Sequence, residues 1–578
     1  MTNFNLNSIT MMTSTLRFFL FLSLLALFAC QTEKGKQSGA VIPSKITAEE
    51  GEQQASGYVF HDANNNQTRD DNETGISDVV VSNGKQIVIT DADGHYSLPV
   101  TPGDPVFVVK PDGWMTPVNE QNLPRFHYIH KPEGSPKNFK YKGVEPTGDL
   151  PEEINFPLYK KRKSKDFKMV VFGDPQPYSI EQVDYVAEDI VNELIGRKDV
   201  KFGITMGDIV GDHLQLFKYI NQAVSQAGIP WYNVMGNHDI NYSAPTDELS
   251  DETFERVYGP ANYAFVYGDV HFIILDDIIH ESKAGSREYV GGLRPDQLTF
   301  VENYLRSVPK NDLVVLNMHI PLALHGKTFR QSDQKKLFAL LKDHPNTLSI
   351  SAHTHTQNNV FFQQDTTGWQ QAKPHHHFNI GTTSGSWWNG MKSETDVPHT
   401  MMRDGTPNGY GLIKFNGSDY TIDWKVAGSP ASHRMNIHVP RGIFTGADDN
   451  PLLTVNFFNG SAQSELKYRI KGETDWQKME KTYKVDPYYA KLSQRWKNLQ
   501  KLNFTEQWQN DTALADQPIP GTDIPEPDKS THVWTAEIGT DFAPGRYTIE
   551  VKAKDRYGRT FTDYHTLRIA TREEIVED

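Results

Sequence analysis

The chain has 578 residues, too many for one compact domain; at ~150 residues per domain, about three or four are expected. Its 73 Asp and Glu against 58 Lys and Arg leave a net charge of −15, which argues against a general binder of nucleic acid or anionic membranes. A hydrophobic content of 37% with 11% aromatics excludes wholesale disorder, and a single cysteine, Cys30, excludes an intrachain disulfide or a thiolate metal cluster, so the 21 histidines are the first place to look for soft metal ligands.

In chain order, residues 18–29 (FFLFLSLLALFA) form an uncharged run behind Arg17, too short to span a bilayer as a helix. The run ends at Leu27-Phe28-Ala29-Cys30, and residues 1–29 are similar to a bacterial lipoprotein signal. That similarity implies acylation of Cys30 and an extracytoplasmic protein held to a membrane by its lipid, without a spanning helix. Residues 30–56 are polar and read as a tether. From 57 to 160, short strands (57–60, 79–89 with an Asn83-Gly84 turn, 95–100) have the spacing of a small β-sandwich, similar to modules of bacterial surface proteins. Within it, Asp62, Asn64, Asn66, Asp70 and Glu73 stand at positions 1, 3, 5, 9 and 12 of a calcium-type loop, with Gln67 where the sharp-turn glycine would be. A structural Ca²⁺ and a plain polar turn both fit. The basic run at 160–165 is a solvated linker.

From 166 to 428 strands and helices alternate. Apolar strands are expected at MVVFGD (169–174), KFGITMGD (201–208), WYNVMGNHD (231–239), the hairpin 263–277, LVVLNMHI (313–320), TLSISAHTH (347–355), 377–383 and 410–428, with helices at 180–195, from about 212, at 295–307 and at 331–343. This texture is α/β, layered around a buried sheet. His375, His376 and His377 read as a polar strand edge. Residues 429–572 return to all-β alternation, a second flanking β-sandwich carrying an exposed helical insertion at 488–504.

Five polar segments follow apolar strands: Asp174-Pro175-Gln176, Asp208 to Asp212, Asn237-His238-Asp239, His319, and His353-Thr354-His355. Ligands of α/β folds gather outside the carboxyl ends of strands, so segments far apart in sequence can meet at one edge. The two histidines of His-x-His share a face, being two apart on an extended chain.

The order of these segments resembles the calcineurin-like metallophosphoesterase family, with its Asp-x-His, Gly-Asp-x-x-x-Asp, Gly-Asn-His-Asp/Glu, lone His and His-x-His, over roughly 168–426. The flanks resemble the N- and C-terminal β-domains of a bacterial subgroup of that family. The fold implied is multidomain, α/β plus all-β, a central metallophosphoesterase αββα sandwich between an N-terminal and a C-terminal β-sandwich. The resemblance implies two divalent ions (Mn, Fe, Zn or Mg). Asp174, Gln176, Asp208 and His355 would hold one, and Asp208, Asn237, His319 and His353 the other, with a water between them as nucleophile. It makes His238 the acid for the leaving oxygen, Asp239 the residue that orients it, and Asp212 a supporting carboxylate. Gln176 replaces the family's first histidine, offering a carbonyl oxygen but no basic nitrogen, which favours Mn²⁺ or Mg²⁺ over Zn²⁺. Similar Gly-Ser-Trp-Trp and Asp-Gly-x-Pro-x-Gly-Tyr blocks recur near the catalytic edge of the subgroup, which makes Trp387, Trp388, Asp404 and Tyr410 candidates for substrate contact; core packing is the alternative for the tryptophans. The expected substrate is a phosphorylated small molecule or glycan, with no nucleic acid. The rival reading is a surface-anchored binding module whose phosphoesterase core has decayed.

Overall fold

In the strand Gln53–His61, Ala55, Gly57 and Val59 are buried in alternation, so one face of the strand turns inward. It pairs with His95–Val100 on one side and Phe156–Lys160 on the other, and Trp114–Met115 completes a four-stranded sheet. Ile87–Ile89, Val80–Ser82, Pro105–Val108 and His127–Ile129 form a second. The computed structural model describes residues 42–280, 287–322, 329–441, 443–446, 450–501 and 524–571; the signal-like run and Cys30 lie outside them.

Inner strands of the central region are buried along their whole length because both of their faces are covered. Phe202–Met206, Leu313–Asn317 and Thr347–Ser351 are buried at every residue. One five-stranded sheet runs Trp231–Val234, Phe202–Met206, Asp166–Phe172, Gly409–Asn416, Asp419–Val426, with the first three strands parallel. A six-stranded sheet runs Tyr263–Tyr267, Val270–Ile274, Leu313–Asn317, Thr347–Ser351, His375–Asn379, Asn358–Phe362, parallel over its four inner strands. Phe202 of the first sheet meets Phe272 of the second edge-to-face at 5.3 Å, so the two sheets share one interior. Helices Ile180–Asp189, Phe217–Ser225, Pro295–Leu305 and Gln331–Leu340 follow strands of these sheets. The parallel strands of both sheets deliver their carboxyl ends to a common edge, where the loops bond to one another. The Gln176 amide donates to the Asp208 carbonyl (3.0 Å), Asp212 to His238 (3.3 Å) and Ala352 to His319 (3.0 Å).

Two expectations are corrected. The strand expected at 231–239 stops at Val234, and Asn237–Asp239 coil into one tight helical turn. The His375–His377 triplet is no polar edge: it lies in an inner strand and is fully buried. Parallel pairing of Ser349 with His377 puts the small hydroxyl residues opposite the imidazoles. His375 and His377 each bridge two hydroxyls, from Thr347, Ser349 and Ser351, at 2.7–2.9 Å.

The N-terminal sheets share their core with the central region. Phe107 meets Phe300 at 5.7 Å and Phe126 meets Tyr263 at 4.9 Å. Beyond residue 429, a four-stranded and a five-stranded sheet enclose a separate core that includes Val455, Trp534, Ile549 and Val551. The helix Pro487–Lys501 is not wholly exposed, as expected, but is pinned by buried Tyr489 and Trp496. Among the described residues, no helix is long and apolar enough to cross a membrane.

Candidate metal centre

His319 stands at the middle of the strand-end edge, and three donor atoms close on its Nε2. These are Asn237 Oδ1 at 3.0 Å, His353 Nδ1 at 3.2 Å and Asp208 Oδ1 at 3.3 Å. One ligand atom each from Asp208, His319 and His353 lie within 4.8 Å of one another. Asp174 lies alongside, with its Oδ1 4.0 Å from His319 Nε2 and 3.9 Å from His355 Nε2. The Gln176 amide nitrogen donates to the Tyr178 hydroxyl at 3.3 Å. Its Oε1 is buried with no hydrogen-bond partner among the described residues, a costly state for a carbonyl unless an ion takes the lone pair.

Neighbouring groups fix which atom each ligand offers. The Nδ1–H of His319 donates to the Met206 carbonyl at 2.8 Å and that of His355 to Gly385 at 3.0 Å, so Nε2 is the nitrogen each ring would offer to a metal ion. The Asp174 carboxylate accepts the His353 amide, and Asp208 accepts that of His238 at 2.9 Å. Asp277, which the sequence reading missed, is wholly buried and accepts the amides of His319 and Ile320 at 3.0–3.1 Å. Its signal was the Asp276-Asp277 pair after an apolar strand.

The backbone is strained where the ligands are. Among the described residues, thirteen non-glycine residues have positive φ, and six of them are Asp174, Gln176, Asp208, Asp212, His353 and His355. Such conformations cost roughly 1–3 kcal/mol each and persist where surrounding structure holds them, typically at functional sites. Gly207 (φ 87°) shows how close the approach is, since a Cβ there would sit 2.4 Å from His319 Nδ1.

The electrostatics ask for cations. Burial lifts the Asp174 carboxyl to about 8 and that of Asp277 to about 8. Burial opposes a charged His319, but the charge and hydrogen bond of Asp208 outweigh it and raise the imidazole to about 10. Burial and neighbouring His319 hold His353 at about 3, and burial holds His355 at about 4, so both are neutral rings. Carboxylate, amide and imidazole donors that converge around unpaired lone pairs fit divalent metal ions.

His238 borders this cluster with a quarter of its side chain exposed. Its Nδ1–H donates to Asp212 Oδ1 at 2.9 Å, and the other Asp212 oxygen takes Arg287 at 2.7 Å. Asp239 does not play the orienting part expected of it. Its carboxylate is buried and accepts the amides of Gly236, Ile209 and Val210 at 2.9–3.2 Å, which ties the two loops together. Tyr141, from the N-terminal flank, donates its hydroxyl to the Asp212 carbonyl at 2.9 Å, a contact the sequence did not signal.

The substrate candidates divide. Trp387 is half-buried and stacks on His355 with ring centroids 4.1 Å apart. Trp388 is core, its indole N–H bonded to the Pro175 carbonyl at 2.8 Å. Asp404 is buried among the Gln357 and Thr406 amides and His532, at the seam with the C-terminal sheets. Tyr410 is buried with its hydroxyl on Glu193 at 2.9 Å. Trp388, Asp404 and Tyr410 are thus buried on protein partners, and Trp388 buttresses the Asp174–Gln176 loop through Pro175. In the N-terminal flank, Asp62 accepts the amides of Asn66 and Gln67, and Glu73 those of Ala63 and Asp70. Asn64 and Asn66 reach Asp70 at 2.8 and 3.0 Å, and Gln67 takes the positive φ (62°) of the glycine position.

Three family models match: "N terminal of Calcineurin-like phosphoesterase" over residues 63–144, "Calcineurin-like phosphoesterase" over 167–357, and "C terminal of Calcineurin-like phosphoesterase" over 377–561. No curated protein matches the chain. Similar solved structures include a purple acid phosphatase, PPD1, from yellow lupin (Lupinus luteus) seeds, with 12% identity, 65% of this chain and 67% of that chain covered, and a TM-score of 0.33. Another is PhoD, with 12% identity, 67% and 91% covered, and a TM-score of 0.34.

Proposed function

Because the chain belongs to the calcineurin-like phosphoesterase family, a metal-dependent hydrolase of phosphate esters, we propose that the His319-centred cluster is its catalytic site and holds two divalent ions. The observation that carries the reading is the convergence of Asp208, Asn237 and His353 on His319 Nε2, beside the unpartnered Gln176 oxygen. In this reading Asp208, Asn237, His319 and His353 bind one ion, and Asp174, Gln176, Asp208 and His355 the other. Bound there, the ions supply charge neutralisation for the phosphate and a water acidified towards neutral pH. His238 does the chain's own proton work. Asp212 fixes its tautomer with Nδ1 protonated, and burial is outweighed by Asp208 and Asp212, which lift the ring to about 9. With Nδ1 held by Asp212, Nε2 is the nitrogen from which the ring would give a proton to the leaving oxygen. Trp387 walls the site beside His355.

The finer parts of the reading are a phosphorylated small molecule or glycan as substrate, a lipid anchor at Cys30 on the extracytoplasmic side of a bacterial membrane, and Ca²⁺ in the Asp62–Glu73 loop. The complete ligand set weighs against a decayed binding module, since decay would erase several ligands. The test is metal analysis of the purified protein and hydrolysis of nitrophenyl phosphate mono- and diesters with Mn²⁺, Zn²⁺ and Mg²⁺. Asp208→Asn and His319→Ala should each lose metal and activity while still melting cooperatively. Near-normal turnover in both would refute the site.

A further inference from the structure

The C-terminal flank carries a feature that hydrolysis does not use. The helix Pro487–Lys501 places Tyr488, Lys491, Leu492 and Arg495 on one side, at the i, i+3, i+4, i+7 spacing of a single helical face. That face closes over the ends of Met435–His438 and Thr560–Ala570 to leave a cavity of about 850 Å³. Six of its lining residues are basic: His438, Arg441, Lys491, Arg495, His565 and Arg568. No carboxylate lines it among the described residues.

Two observations set this apart from a chance grouping of surface cations. The chain as a whole carries −15, so a wall holding Arg441, Lys491 and Arg495 together runs against the average. Lys497, on the same helix but outside the cavity, is paired with Glu526 at 2.7 Å. The orientation of the basic face is also fixed, because buried Tyr489 bonds the Pro525 carbonyl at 3.0 Å. Lys491 Nζ donates to His438 Nε2 at 3.3 Å, which holds the ammonium at the cavity wall.

We propose that this cavity binds a small oligoanion carrying several phosphate groups on one molecule. The cavity has the size of an ordinary small-molecule site, roughly 300–1,000 Å³. Guanidinium forks and an ammonium are the groups that recognise phosphate oxygens, and several of them together demand more than one negative charge from the ligand. The proposal goes beyond ester hydrolysis and concerns residues that take no part in it.

The probe is inorganic tripolyphosphate, titrated by calorimetry into the full chain. The Asp208→Asn protein removes the competing metal centre and should still bind it. On that background, Lys491→Glu with Arg495→Glu should weaken binding at least about tenfold, and added salt should weaken it progressively. Orthophosphate, with a single phosphate group, should bind more weakly than tripolyphosphate. Both residues are exposed, so the reversal should fold; an unchanged melting temperature checks this, and the milder Lys491→Ala with Arg495→Ala serves if it does not. Binding that disappears with Asp208→Asn alone, or that ignores the cavity substitutions, would overturn the proposal, as would no binding by the unaltered protein.

Discussion

Asp212→Asn and Asp239→Asn each turn a carboxyl group of neighbouring loops into an amide, and the structure assigns them different consequences. Asp212 accepts the Nδ1–H of His238 at 2.9 Å and is only 12% exposed. A hydrogen bond to a charged partner contributes roughly 1.5–3 kcal/mol. If it is expressed in the transition state, its loss slows turnover about 10- to 150-fold. The sign of the pH effect follows from the same contact. Burial lowers His238, and Asp208 and then Asp212 raise it to about 9, so the imidazolium is favoured by the Asp212 charge. Removing that charge lets the proton leave at lower pH, and the alkaline limb of kcat should move down by about one unit. Asp239→Asn instead sets an amide against three backbone N–H groups in a buried place, at a cost of about 1–3 kcal/mol. It should lower the melting temperature by several degrees and move the alkaline limb less than Asp212→Asn does, because Asp239 acts on His238 by charge alone and ranks after Asp208 and Asp212. The assay is kcat against pH for nitrophenyl phosphate esters with good and poor leaving groups, alongside melting curves. An unmoved alkaline limb in Asp212→Asn, or a limb shifted equally by Asp239→Asn, would refute the orientation argument.

Gly207→Ala should strip metal from the centre, because its Cβ would meet His319 Nδ1 at 2.4 Å and break the bond to Met206; metal content per chain measures it, and full occupancy would contradict it. Gln176→His replaces a carbonyl oxygen by an imidazole nitrogen, so activity with Zn²⁺ should rise relative to Mn²⁺; an unchanged metal profile would show that position 176 does not ligate. The seam at Asp404 should be acid-labile. Burial raises that carboxyl, but His532 and the amides of Gln357 and Thr406 prevail and hold it below its ordinary 3.8. A depressed carboxylate stabilises the fold above its unfolded value and loses that contribution as pH falls through the folded one, so the window lies below about pH 4. Acid denaturation of Asp404→Asn, compared with the unaltered chain, should show a smaller loss of stability across that window.

The strand ends were readable because each ligand follows an apolar run that both sheets bury, and the parallel order carries all such ends to one edge. Asp174, Asp208, Asn237, His319, His353 and His355 lie together for that reason. What failed was reading by proximity in sequence. Asp404 is close to Trp387 along the chain, yet its fate is decided by His532, 128 positions further on. Trp388 goes inward while Trp387 stays at the rim, although both have positive φ and no periodicity separates them. The His375–His377 triplet was legible in principle, since Thr347, Ser349 and Ser351 alternate in the strand beside it. That strand's neighbour could not be named without the sheet order.

The Tyr141 hydroxyl on the Asp212 carbonyl means that the N-terminal flank touches the loop whose carboxylate governs His238. The flank therefore helps to hold the candidate site and is not baggage carried beside it. Trimming the chain at the 160–165 linker would strip the Tyr141 hydroxyl from the Asp212 carbonyl, and a truncated chain should differ from its parent in the setting of His238 as well as in mass.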